Sequence, residues 1–389
     1  MTRSRDPLVG YLFSFVVLGV VLGMLGPALE GLRAQVGASV SGISFVFVAQ
    51  SVGYLLGALA GGRGFDRGLG HRLLACALVL MAAGLLLVTQ SRSLVALCGA
   101  FVVLGLSLGL VEVGSNTLLL WSRNPASPSM INGLHFLFGV GALLSPLLVN
   151  RSLSARGTVR LAYVVAAFAA VLAAAIVASR STPTPVDATD HARGEAAPRR
   201  LVVAVAVFFA LYVGVEVGFS GWVATYAQSV HLGGSGAGAA LTAVFWAAFT
   251  VGRLGAVGIT RRVRPVVVLI AGCALAILAA VALIAARGSG APVWIATVLF
   301  AVGLSPQFAS MLAFASEHLP LTGAATSGFF AAAAVGGLSV PWVIGQLLSG
   351  VGTGSFPVVM LIGGIATLAW VLVLERVLPP APVDAAVVP

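Results

Sequence analysis

The chain has 389 residues, of which 59% are hydrophobic and only 8% charged, with a mean hydropathy of +1.09. Soluble domains carry about 25% charged residues, so a soluble enzyme, a coiled coil and a disordered hub are excluded and the solvent is lipid. The net charge of +10 comes from 21 basic residues, every one an arginine, set between apolar runs rather than clustered with stacking aromatics as nucleic-acid binding requires.

A helix rises about 1.5 Å per residue and the hydrocarbon layer is about 30 Å thick, so each crossing needs roughly 20 apolar residues. The first run follows a basic start, as in a signal peptide, but continues to about Leu29 and reads as a spanning helix over 9–29. Further runs lie at 40–60, 72–89, 94–120, 129–149, 160–179, 201–227, 237–258, 266–286, 292–315, 323–348 and 355–374. The expected fold class is an all-α membrane protein with twelve transmembrane helices in two six-helix bundles. Cys76, Cys98 and Cys273 lie inside apolar stretches, which argues against a disulfide framework.

Residues 181–200, rich in Pro, Thr, Asp and Arg, read as a flexible cytoplasmic linker. It separates an N-terminal bundle, 1–180, from a C-terminal bundle, 201–389. The halves echo each other at an offset of 195, which places Pro146 on Pro341, Gly57 on Gly252 and Arg67 on Arg262. Two such repeats with a midplane site describe a secondary transporter. With both termini inside, fourteen of the 21 arginines fall on cytoplasmic segments and six on outer loops, the bias the positive-inside rule expects. The 151–160 loop, with Arg151, Arg156 and Arg160, runs against it.

After the second span the chain reads Gly61-Gly62-Arg63-Gly64-Phe65-Asp66-Arg67-Gly68-Leu69-Gly70-His71-Arg72. This resembles the signature loop of the major facilitator superfamily, and with twelve spans and a central linker the resemblance covers the whole chain. Asp66 could cap a helix and pair with Arg123, so that Asp66, Arg67 and Arg123 are gating candidates; ordinary positive-inside charge is the plainer reading. Three segments narrow the choice: Gly109-Leu110-Val111-Glu112 with Asn116; Asn132-Gly133-Leu134-His135-Phe136; and Tyr212 to Trp222. They are similar to the fucose–proton symporter family, which includes carriers of fucose, glucose and galactose and related animal sugar transporters. The resemblance implies a sugar-like solute moved with a cation. Fucose carriers of that family place an aspartate in the first span; Val9 to Leu29 has no acid, a departure from fucose itself and from the two-acid coupling scheme.

Ionisable residues in hydrocarbon cost a few kcal/mol each and mark function. Glu112, His135, Glu216 and Arg253 lie well inside spans. Protonation would remove a buried charge, which makes Glu112 a candidate proton carrier and His135 a candidate relay. Asn116 is four residues on and shares the face of Glu112. Tyr212, Glu216 and Ser220 form an i, i+4, i+8 stripe, followed by Trp222. A sugar site needs carboxylate and amide partners beside an aromatic platform, so Asn116, Asn132, Tyr212, Glu216 and Trp222 are solute candidates. Gln50, Trp246, Gln307 and Gln346 are weaker ones, and Gln307 stands at the repeat position of Glu112. For each, helix packing is the plain alternative. Arg253, near a cytoplasmic end, can snorkel and is assigned to the inner gate.

No metal-ligand cluster, nucleophile elbow, Walker loop or dinucleotide glycine pattern occurs, so no enzyme, no cofactor and no metal is expected. The reading is a monomeric multi-pass carrier in a bacterial inner membrane, with both termini cytoplasmic, taking up a monosaccharide or similar solute with a proton or sodium. Its alternatives are a drug or metabolite efflux antiporter of the same fold, a non-transporting sensor and a passive facilitator.

Overall fold

A computed structural model describes residues 7–122, 128–183, 199–234, 236–259, 262–287, 290–318 and 323–377. Arg123 lies outside the described residues, as do the side chains of Asp66 and Asn132 and most of the 181–200 linker. Among the described residues the chain is helical without strands: α1 (Leu8–Val36), α2 (Val40–Ile43), α3 (Phe45–Asp66), α4 (Gly70–Gln90), α5 (Leu94–Ser122), α6 (Pro128–Arg156), α7 (Arg160–Ala178), α8 (Arg199–Ser229), α9 (Ala237–Ile259), α10 (Pro265–Ala286), α11 (Gly290–Leu304), α12 (Gln307–Ser316), α13 (Gly323–Gly350) and α14 (Ser355–Val377). They make 12 stretches long and apolar enough to cross a membrane, matching the expected spans one for one. Exposed Phe168, Leu278 and Ile362 form part of an outward apolar belt, the surface a bilayer solvates.

Two spans depart from the expected continuous helix, the second being interrupted at Ser44 between α2 and α3. The tenth breaks between α11 and α12 at Ser305 and Pro306, because proline lacks the N–H that would continue the ladder and its ring crowds the carbonyl four residues earlier. Pro27, Pro146 and Pro341 nevertheless sit inside continuous helices. Freed backbone groups are tolerated at membrane depth where they line a cavity, and Ser305 and Pro306 do.

The tightest pairings, α3 with α5, α1 with α6 and α8 with α13, are backbone-to-backbone. A Cβ on Gly105 would fall onto the carbonyl of Gln50, and one on Gly57 onto that of Leu106. Gly19 lies in the same way against Phe138 O, Gly141 against Val16 O and Gly336 against Ala210 O. Small residues permit such approach in lipid, where no hydrophobic force draws helices together. Gly141 and Gly336 are repeat mates at the offset of 195, so the internal repeat reappears as matched helix contacts. His71 of the signature loop anchors the linker's start: its Nε2 is 2.7 Å from Tyr11 Oη and its Nδ1 donates to Arg180 O at 3.0 Å.

The two six-helix bundles meet along α1–α8, α6–α9, α2–α13 and α3–α13. The named contacts lie away from the end that carries the termini. Gly26 abuts Ser220 O, Gly345 abuts Ser44, the Phe47 and Trp222 rings stand 5.8 Å apart, and Gln346 Nε2 donates to Ser41 O at 3.0 Å and Ser44 Oγ at 3.1 Å. The bundles are closed on that side.

Candidate functional site

Between the bundles lies a cavity of about 490 Å³, within the usual range for small-molecule sites. Gly23, Gly26 and Gly221 line it on the closed side, and Leu254 and Ala256, towards the other end of α9, on the open side. Each bundle gives polar groups: Gln50, Ser51 and Tyr54 from α3, Glu112 from α5, His135 from α6, Glu216 and Ser220 from α8, Thr250 and Arg253 from α9. Phe15, Phe138, Trp246, Phe308 and Phe330 supply apolar walls. The mixture suits a solute with hydroxyls around its rim and C–H faces, since aromatic rings accept the faces while amides and carboxylates take the hydroxyls.

The four ionisable residues expected inside the membrane converge here. Glu112 Oε2 accepts a hydrogen bond from Tyr54 Oη at 2.8 Å. That contact follows from the α3–α5 glycines: Gly109 lies directly against Tyr54 O, so no intervening side chain keeps the hydroxyl from the carboxylate. The His135 ring meets Phe15 edge-on at 5.6 Å. Arg253 turns into the cavity instead of snorkelling, its guanidinium 4.4 Å from the Phe249 ring centre, a cation–π contact. Its charge acts on Glu112, His135 and Glu216. Two carboxylates and one guanidinium leave the lining with one negative charge in excess when both acids are ionised.

Other candidates are placed elsewhere. Asn116 donates to the carbonyl of Glu112 at 2.9 Å, one turn back on its own helix, and does not line the cavity. Trp222 is fully buried and its Nε1 donates to Pro341 O at 2.8 Å, pinning α8 to α13. Gln307, also buried, donates to Leu269 O at 3.2 Å and Gly303 O at 3.3 Å within its own bundle. Tyr212 stacks at 6.0 Å on Phe208, behind the cavity wall, within the fields of Glu216 and Arg253. Gln50 and Trp246 line the cavity as expected, while Gln346 is committed to the closed side. Arg67 is the C-cap of α3, outside the cavity.

Tyr54 and Thr250 were not anticipated. The available signal for Tyr54 was its place four residues after Gln50, on the same helical face. Among the described residues no group of His, Cys, Asp and Glu is arranged to hold a metal ion.

Residues 11–341 match the sequence profile of the Major Facilitator Superfamily. The chain is 27% identical over 375 residues to the mouse sodium-dependent glucose transporter 1A, covering 86% of this chain and 88% of that protein. It is 24% identical to the human sodium-dependent glucose transporter 1, over 86% of this chain and 72% of that one. The fold matches the inward open xylose transporter XylE from E. coli with a TM-score of 0.78 at 15% identity, over 97% of both chains. It matches the nucleoside transporter NupG with a TM-score of 0.70 at 14% identity, over 97% of this chain and 99% of that one. Cavity, closed seam and profile agree: the chain belongs to the major facilitator superfamily, whose members are membrane transporters and not enzymes.

Proposed function

We propose that this protein moves a monosaccharide or similar small polar solute across the membrane by alternating access, coupled to a proton through Glu112. The reading rests above all on the cavity between bundles, sealed on one side, in which Glu112, Glu216, His135 and Arg253 face polar and aromatic walls. The printed names of the similar proteins, glucose and xylose transporters, support a sugar-like solute. Gln50, Glu216 and Trp246 contact it in this reading, His135 relays the proton, and Arg253 balances charge in the cavity. Asn116, Tyr212, Trp222 and Gln307 serve helix packing. Asn132, Asp66, Arg67 and Arg123 keep the roles the sequence suggests, polar lining and gate.

A proton crossing 100 mV yields about 2.3 kcal/mol, which at 1.36 kcal/mol per decade sustains roughly fifty-fold accumulation. A single carboxylate therefore suffices for uphill uptake. We place both termini and the 181–200 linker in the cytoplasm of a bacterial inner membrane, on the arginine bias, with the bundle boundary in that linker and the monomer as the working unit. Sodium is the second candidate ion, because the similar mouse and human proteins are named sodium-dependent.

The test is reconstitution in liposomes with an internal pH dye, adding hexoses, deoxyhexoses and pentoses in turn. Sugar-triggered acidification, absent in Glu112→Gln, is expected. Sugar uptake that follows sodium and leaves internal pH unchanged would replace the proton with sodium. No flux of any sugar through folded protein would overturn the reading.

A further inference from the structure

We infer that Tyr54 is the positioning residue for the coupling carboxylate: its hydroxyl holds Glu112 in the ionised form on the open side of the cavity, and so sets the proton-release step of the cycle. The inference rests on the assignment of coupling to Glu112 and goes beyond it by naming a partner that the transport reading leaves unused.

The hydroxyl of Tyr54 donates to Glu112 Oε2 at 2.8 Å. It is the one side-chain donor on Glu112 among the described hydrogen bonds. A carboxylate is an acceptor only, while the protonated carboxyl carries its own O–H donor; a fixed phenol donor therefore matches the ionised state. Release proceeds by breaking the O–H bond of the Glu112 carboxyl, the proton passing to water in the open cavity and the electron pair staying on the carboxylate, which accepts the Tyr54 hydrogen. The reverse order applies to loading. The other charged or titratable groups that act on Glu112 face it across the cavity: Glu216 from α8 and Arg253 from α9, with His135 from α6 lining the same space. From α1 the wall is apolar and glycine, and α4 contributes nothing to the lining.

The internal repeat supplies an independent argument. The offset of 195 that carries Glu112 onto Gln307 carries Tyr54 onto Phe249. Where the carboxylate has become an amide, the phenol has lost its hydroxyl, and Gln307 has turned into its own bundle. The hydroxyl is present in the half that keeps the acid and missing from the half that does not. Phe249 instead offers its ring face to the Arg253 guanidinium.

The experiment compares two modes of the reconstituted protein with radiolabelled sugar, using the substrate found above. Uphill accumulation driven by an imposed pH gradient requires the proton to leave Glu112 in every cycle. Exchange of sugar at equal concentrations does not, since the loaded carrier can shuttle with the proton retained. In Tyr54→Phe, which keeps the ring and removes the donor, accumulation is expected to fall about tenfold or more while exchange falls far less, and the pH profile of accumulation is expected to differ from wild type. Glu112→Asp, which withdraws the carboxylate by one methylene and keeps the acid, should behave alike and carries the test if Tyr54→Phe does not fold. Accumulation at the wild-type level in Tyr54→Phe, with Glu112→Gln unable to accumulate, overturns this inference alone. Accumulation by Glu112→Gln overturns the coupling assignment itself. Equal loss of accumulation and exchange in folded Tyr54→Phe also overturns the inference, because the hydroxyl would then serve sugar binding.

Discussion

Gln346 supplies the described side-chain hydrogen bonds that cross between the bundles, to Ser41 O and Ser44 Oγ. Replacing it by alanine removes both. A typical hydrogen bond contributes about 1 kcal/mol net, and both exist only while the side opposite the termini is closed, so Gln346→Ala should destabilise that state by about 2 kcal/mol. At 1.36 kcal/mol per decade this shifts the population towards opening on that side by roughly thirty-fold. The shift can be read by labelling. Cys76, Cys98 and Cys273 are replaced, a single cysteine is placed at Ser220, which lies behind Gly26 at the closed end of the cavity, and a membrane-impermeant maleimide is applied to the face opposite the termini. The labelling rate should rise at least several-fold in Gln346→Ala. An unchanged rate in folded protein would show that the glycine contacts at Gly26 and Gly345 hold the seam shut without the amide.

Two further outcomes follow from the packing. Trp222→Phe should lower the melting temperature in detergent, because Pro341 O loses its buried donor at a cost of about 1–3 kcal/mol, yet leave the solute KM within about twofold, since the indole is outside the cavity; a large KM change at unchanged stability would refute that placement. Gly105→Leu should prevent folding or cost about 1–3 kcal/mol or more through forced helix separation, whereas Gly99→Ala, with open space at its Cβ, should be neutral in the same melting assay.

The twelve crossings were legible because hydrophobic density alone defines a span in lipid, and the two-bundle arrangement because glycines and prolines repeat at one offset. The break before Pro306 was not, since Pro27, Pro146 and Pro341 have the same local signal and continue as helix. Glu112, His135, Glu216 and Arg253 were visible as ionisable groups with nowhere else to go. Which way a neutral polar side chain points was not visible. Asn116 shares a face with Glu112 and spends its amide on the helix itself, while Gln307 and Trp222 find carbonyls in their own bundle. Helix rotation decides such cases to within a few tens of degrees, finer than a run of apolar residues can specify. Tyr54 was hidden for the opposite reason: an aromatic in a membrane span needs no explanation until its hydroxyl is seen to have a partner.

The matched glycine contacts of α1 with α6 and α8 with α13, and those of α3 with α5, have a mechanical consequence. Where one backbone rests directly on another, there is no layer of side chains to shear, so each pair behaves as a welded beam. The seam between α6 and α9 is built differently, from the Thr250 side chain against Gly139 and the edge-on rings of Phe138 and Trp246, convex groups that can roll over one another. The molecule thus has stiff girders joined at α6–α9 by a seam that can roll, and a displacement imposed at one end of a girder would reach its far end with little lost to bending on the way.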